Sequence, residues 1–143
     1  MSGTLVDSNV LLDLFTEDEE WFDWSAAMLA QAAHAGALFI NPIIYAEVSV
    51  RFPRVEDLDE ALPRDYYRRA DLPWPAGFLA GHAYQKYRRG GGTRSSPMPD
   101  FYIGAHAAVS AMRLLTRDPQ RYRTYFPTLT ILAPETRRRV TLP

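Results

Sequence analysis

Short apolar runs that end on turn residues alternate along the chain with longer stretches of helical periodicity. Four runs read as strands: Leu5-Val6, "ALFI" at 37–40, "RLLT" at 113–116 and "LTIL" at 129–132. Between them, "WFDWSAAMLAQAAHAG" repeats apolar residues at helical spacing and stops at Gly36, a residue suited to a left-handed C-cap. "NPIIYAEVSV" opens with Asn41 as N-cap and Pro42 at the first helical position. "PDFYIGAHAAVSAM" opens on Pro99 in the same way, and "DPQRYRTYF" repeats the cap-then-proline device with Asp118 and Pro119. "VEDLDEALPRDYYRRADLP", interrupted by Pro63, and "PAGFLAGHAYQKYRR" complete the helical set. "RGGGTRSSPMP", residues 89–99, reads as a flexible loop, suited equally to a plain linker and to a mobile gate before Asp100.

Strands too short for lone hairpins, alternating with helices, predict crossover units: an α/β chain, a three-layer α/β/α sandwich around a short central parallel sheet. In such sheets ligands bind beyond the carboxyl ends of the strands. Asp7 closes the first apolar run and Asp118 follows the third, so both fall on that edge.

Length and composition narrow the class. The 143 residues fit one domain, 1–143, with a core that needs no cross-links. A hydrophobic content of 47% supports that core, and the absence of cysteine removes disulfides and thiolate zinc sites. No stretch approaches the roughly 20 apolar residues of a membrane span, and the start lacks a basic-then-apolar leader, which predicts a cytoplasmic protein with no membrane partner. A formal charge of −1 excludes simple basic-patch binding to nucleic acid, but not an enzyme that meets phosphates through a cation and a few arginines.

Two more acids join the pair. Glu47 shares a helix face with Ile43, Ile44 and Val50, where an ionised carboxylate is costly without a partner. Asp100 sits in the first turn of its helix, where the dipole favours an anion. Each acid also has a local reading: Asp118 and Asp7 as caps, Asp100 as a dipole partner, Glu47 paired with Arg51. Jointly they suggest more, because converging carboxylates repel unless a divalent cation neutralises them, and oxygen ligands suit magnesium or manganese better than zinc. Such a site favours phosphodiester chemistry.

"LVDSNVLLDL", "IIYAEV", "PDFYIGAHA" and "LLTRDPQRY", in that order, resemble the PIN-domain ribonucleases, specifically the VapC-type toxins of type II toxin–antitoxin pairs. The resemblance spans Thr4 to about Pro134. It implies a metal-dependent endoribonuclease, with Asp7, Glu47, Asp100 and Asp118 as catalytic and metal-binding acids and Mg2+ or Mn2+ as cofactor. It further implies Asn9 and Thr116 as supporting polar residues, an RNA substrate, a homodimer and a cognate antitoxin protein in the acidic groove. The segment between Glu47 and Asp100 is proline-rich and does not align with the family residue by residue.

Other features are weaker. Arg117 is the best-placed candidate for an RNA phosphate contact, ahead of Arg51, Arg88, Arg89, Arg94 and Arg121. His34, His82 and His106 lack metal-ligand spacing, and Gly90 to Gly92 lacks the lysine of a phosphate loop. Trp21, Trp24, Tyr66, Tyr67 and Trp74 fit core or interface roles better than base stacking. An aspartate-nucleophile phosphatase or dehalogenase would want an acid where Asn9 stands. A catalytically silent PIN-like module that binds RNA or protein is the stronger alternative.

Overall fold

The computed structural model describes residues 3–92 and 97–135. The chain alternates as expected: β1 (Thr4–Val6), α1 (Ser8–Phe15), α2 (Phe22–Ala35), β2 (Leu38–Ile40), α3 (Pro42–Ser49), α4 (Val55–Ala61), β3 (Tyr67–Arg69), α5 (Trp74–Arg89), α6 (Met98–Val109), β4 (Arg113–Leu115), α7 (Gln120–Tyr125) and β5 (Ile131–Leu132). The strands form one five-stranded sheet in the order β3-β2-β1-β4-β5. Every pairing in it is parallel. With the right-handed crossovers that are the rule for parallel neighbours, this strand order assigns α1 to α4 to one face and α5 to α7 to the other. This is the three-layer α/β/α sandwich.

The strand sequences explain the sheet. Leu5, Val6, Leu114 and Leu115 are fully buried, as strands covered on both faces must be. Ile44 and Val48 bring one face of α3 into the core, while α6 is buried on several sides, Phe101 and Ile103 pointing in nearly opposite directions; each of these side chains contributes roughly 1.5–3 kcal/mol by burial. Asn41 caps α3 through a 2.9 Å hydrogen bond from the Ile44 amide, with Pro42 following it. Among the described residues no helix is long and apolar enough to cross a membrane.

Three local expectations need correction. Tyr67–Arg69 is a strand, not a continuation of the helix before Pro63. It is an edge strand, and charged residues on such an edge discourage further pairing. Only Tyr67 is buried there, Arg68 is exposed, and Arg69 is anchored by Asp59 at 2.8 Å while lying over the Tyr45 ring. Gly36 ends α2 in an extended conformation (φ 172) rather than a left-handed one. Asp118 does not cap α7; Pro119 occupies that position, without any side-chain bond. Residues 93–96 of the expected 89–99 loop, including Arg94, lie outside the described residues.

Candidate active site

The strand order reverses between β1 and β4, so the crevice beyond their carboxyl ends is the ligand position of an open parallel sheet. Asp7 stands there. Its amide continues the ladder one residue past β1, donating to the Leu115 carbonyl at 2.9 Å. Its side chain caps α1, Oδ1 accepting from the Ser8 amide at 2.8 Å. Oδ2 accepts from the Thr116 hydroxyl at 2.8 Å and the Tyr122 hydroxyl at 2.9 Å. The residue is only 4% exposed. Burial pushes its carboxyl up from the ordinary 3.8 to about 6; the Asp100 charge adds to this, and the hydrogen bonds from Thr116, Tyr122 and Ser8 oppose it.

Glu47 and Asp100 meet Asp7 through shared hydroxyls. Ser8 Oγ lies 3.1 Å from Glu47 Oε1 and 3.4 Å from Asp7 Oδ1; having one proton, it serves the nearer glutamate. The Glu47 carboxyl is raised by burial first, against the Ser8 hydrogen bond, and then by Asp7 and Asp100. The hydroxyl of buried Tyr122 lies 3.5 Å from Asp100 Oδ1. Burial, followed by the Asp7 and Asp100 charges, raises this phenol well above its usual range. Arg121 donates from Nη1 to Asp100 Oδ2 at 2.6 Å. Three of the four expected acids therefore share one electrostatic neighbourhood.

Asp118 stands apart from them. It is exposed, and among the described residues its carboxylate makes no hydrogen bond or ion pair. Its amide donates to Thr116 Oγ1 at 3.1 Å, so the loop around it is fixed while the side chain is not. The expected Glu47–Arg51 pair is likewise not formed among the described residues; Glu47 takes Ser8 instead.

The supporting residues form a closed network. Thr116 Oγ1 gives its proton to Asp7 and accepts from Asn9 Nδ2 (3.2 Å) and the Asp118 amide. Asn9 Oδ1 accepts from the Arg117 amide at 3.1 Å. Arg117 itself points away from the acids: its Nε donates to Asp13 Oδ2 at 3.0 Å, and its guanidinium lies 5.5 Å from the Trp21 ring centre. Asp13 is 2% exposed and also accepts from Ser25.

Ser8, Tyr122 and Arg121's role at Asp100 were not visible in the sequence. Tyr122 lies 115 positions from Asp7, and nothing in local spacing joins them.

Three carboxylates among hydroxyl donors, without thiol or imidazole, are the donor chemistry of a hard divalent cation. As placed, their oxygens face Ser8, Thr116, Tyr122 and Arg121. Among the described residues no three histidine, cysteine, aspartate or glutamate side chains are grouped to hold a cation. The ligand types fit; their present orientation serves internal donors.

Comparison with known proteins follows the same lines. The profile of the PIN domain family matches residues 4–127. No curated protein matches the sequence. Among solved structures, VapBC2 from Rickettsia felis bound to a DNA fragment from their promoter is similar at 16% identity and TM-score 0.69, covering 91% of this chain and 97% of that one. VapBC-1 from nontypeable Haemophilus influenzae is similar at 16% identity and TM-score 0.68, covering 91% and 96%. A toxin–antitoxin complex from Klebsiella pneumoniae is similar at 20% identity and TM-score 0.63, covering 91% and 96%. At these identities the likeness is one of fold.

Proposed function

The chain belongs to the PIN domain family, and from that premise we propose that it is a metal-dependent endoribonuclease, the toxin of a toxin–antitoxin pair. The observation that carries this reading is that Asp7 shares the Ser8 hydroxyl with Glu47 and the Tyr122 hydroxyl with Asp100 at the sheet's switch point. Burial alone does not explain why three acids are kept within reach of one another's charge. A site for Mg2+ or Mn2+ does.

In this reading Asp7, Glu47 and Asp100 would hold the cation, with Asp118 as the fourth acid. Such a cation would supply Lewis-acid polarisation of a phosphoryl oxygen and activation of a water near neutral pH. The chain's own residues do the rest. Thr116 and Asn9 fix the Asp7 carboxylate and the 116–118 loop, which holds the site rigid. Tyr122 closes the site from the α7 side and keeps Asp7 out of bulk water. Arg121 balances Asp100 in the absence of another cation. A homodimer and an antitoxin occupying the acidic crevice complete the proposal, in keeping with the toxin–antitoxin complex among the structures of the same fold.

The test is RNA cleavage in the presence of Mg2+ or Mn2+, compared with chelator, for wild type and Asp100→Asn. The variant loses cleavage while its circular dichroism stays native. Wild-type cleavage by Asp100→Asn, or cleavage unaffected by chelator, would remove the catalytic assignment. The alternative, a catalytically silent PIN-like module that binds RNA or protein, draws on one observation: Arg121 and Tyr122 already occupy the Asp100 and Asp7 oxygens. That alternative requires the wild type to bind a partner and cut no RNA.

A further inference from the structure

Helix α7 has two functional sides. Arg121 and Tyr122 reach Asp100 and Asp7. Gln120, Arg123 and Thr124 share the other face at i, i+3 and i+4, and line a separate open cavity of about 590 Å3 with Trp21 and Arg117. That volume lies within the range of small-ligand sites, about 300–1,000 Å3. Among the described residues no carboxylate lines the cavity, although the chain as a whole carries a net charge of −1. Buried Asp13 lies beneath it and fixes Arg117 through Nε. Among the described residues the other nitrogens of Arg117, and the whole side chain of exposed Arg123, make no hydrogen bond or ion pair.

We propose that this cavity is a nucleotide subsite, taking the base and phosphate of an RNA residue adjacent to the bond that is cut. The proposal rests on the ribonuclease reading for its substrate. Three observations point to single-stranded RNA. First, the Arg117 guanidinium, 5.5 Å from the Trp21 ring centre, is held by buried Asp13, so an aromatic ring and a guanidinium are presented together to an unstacked base. Second, Arg123 places a guanidinium, without a partner among the described residues, on the same wall for a phosphate. Third, the cavity and the acids share both α7 and the 116–118 loop: Thr116 faces Asp7 while Arg117, its neighbour, faces the cavity. A strand lying across that loop touches both. Specificity for the residue next to the cut would then be set by Trp21, Arg117 and Gln120 rather than by the acids.

The test is fluorescence anisotropy of a 5′-labelled, 12-nucleotide single-stranded RNA of random sequence, in chelator so that nothing is cut. Wild type is compared with Arg123→Gln, Trp21→Ala and Trp21→Phe, and with Arg54→Gln as a charge control outside the cavity. Cleavage of the same RNA is followed in parallel in Mn2+. Arg123→Gln should weaken binding about tenfold at low salt and lower the slope of log affinity against log salt by about 0.7, the value for one single-strand phosphate contact. Trp21→Ala should weaken binding about tenfold, with Trp21→Phe restoring part of the loss. Arg54→Gln should match wild type. Unchanged affinity in both cavity variants, or no binding by wild type, overturns the proposal; in the first case an acidic protein segment becomes the better occupant. RNA cut normally with affinity unchanged defeats the subsite alone, whereas RNA bound through Arg123 but never cut defeats the nuclease reading alone.

Discussion

Replacing Asp7 by asparagine tests the electrostatics of the site without touching its shape. Burial, with help from Asp100, raises the Asp7 carboxyl from 3.8 to about 6. Keeping it ionised at pH 7 therefore costs the folded chain about 3 kcal/mol. The amide carries no such cost, but it mismatches its neighbours. Ser8 N–H, Thr116 and Tyr122 all donate to Asp7, and Thr116 must keep donating because its lone pairs already accept from Asn9 and Asp118. Either orientation of the asparagine loses a hydrogen bond, worth about 1 kcal/mol. The net gain is about 2 kcal/mol, or a rise in Tm of about 4–8 °C without divalent cations. The sign with pH follows from the raised value. Wild type keeps this group's full stability below pH 4 and loses it as pH climbs through 6; Asp7→Asn is indifferent in that window. Thermal melts in chelator from pH 4 to pH 8 should show the variant about 1 kcal/mol less stable than wild type at the acidic end, where only the lost hydrogen bond counts, and its advantage complete by neutrality. A variant less stable than wild type at pH 7, or an advantage equal at both ends, would refute the reasoning and leave Asp7 as a helix cap alone.

Manganese at a hundredfold excess over its dissociation constant should stabilise the wild type by about 2.7 kcal/mol in thermal melts, and Asp100→Asn should abolish the effect. In the same titration Arg121→Gln should tighten the cation about two- to fivefold, since the half-exposed ion pair to Asp100 is worth up to about 1 kcal/mol; weaker binding would show that Arg121 helps the cation. Gly104→Ala should destabilise the chain by about 1–3 kcal/mol, because its new methyl would meet Phe126 Cε2 at 2.5 Å and Tyr122 Cδ1 at 3.0 Å. Chemical denaturation reads that loss, and a neutral outcome would show that α7 yields freely.

The sheet's centre was legible because Leu5-Val6 and Leu114-Leu115 are apolar on both faces and end on polar residues at the same edge. Asn41-Pro42 marked α3 by chemistry that needs no tertiary contact. β3 was hidden: at an edge, Arg68 and Arg69 can face solvent or ring, so no apolar run announces the strand. Gly36 was misjudged because a glycine permits the left-handed turn without requiring it. Asp7 and Asp100 were marked by their places at the starts of helices, and Glu47 by an apolar helix face on which a lone carboxylate is costly. Their intermediaries were not, because a hydroxyl bridge between residues 115 positions apart leaves no periodic trace. Asp118 marked the right loop, but the loop's inward-facing group is Thr116.

A helix as short as α7, Gln120–Tyr125, cannot hold itself together, and it is moored by Tyr122 and Phe126, both sunk in the core. Arg123 shares this short helix with Tyr122 and Arg121, so a shift of α7 displaces the groups that hold Asp7 and Asp100. A substitution on the outer face of the helix that moves it will therefore carry a signature in the hydrogen bonds of both acids.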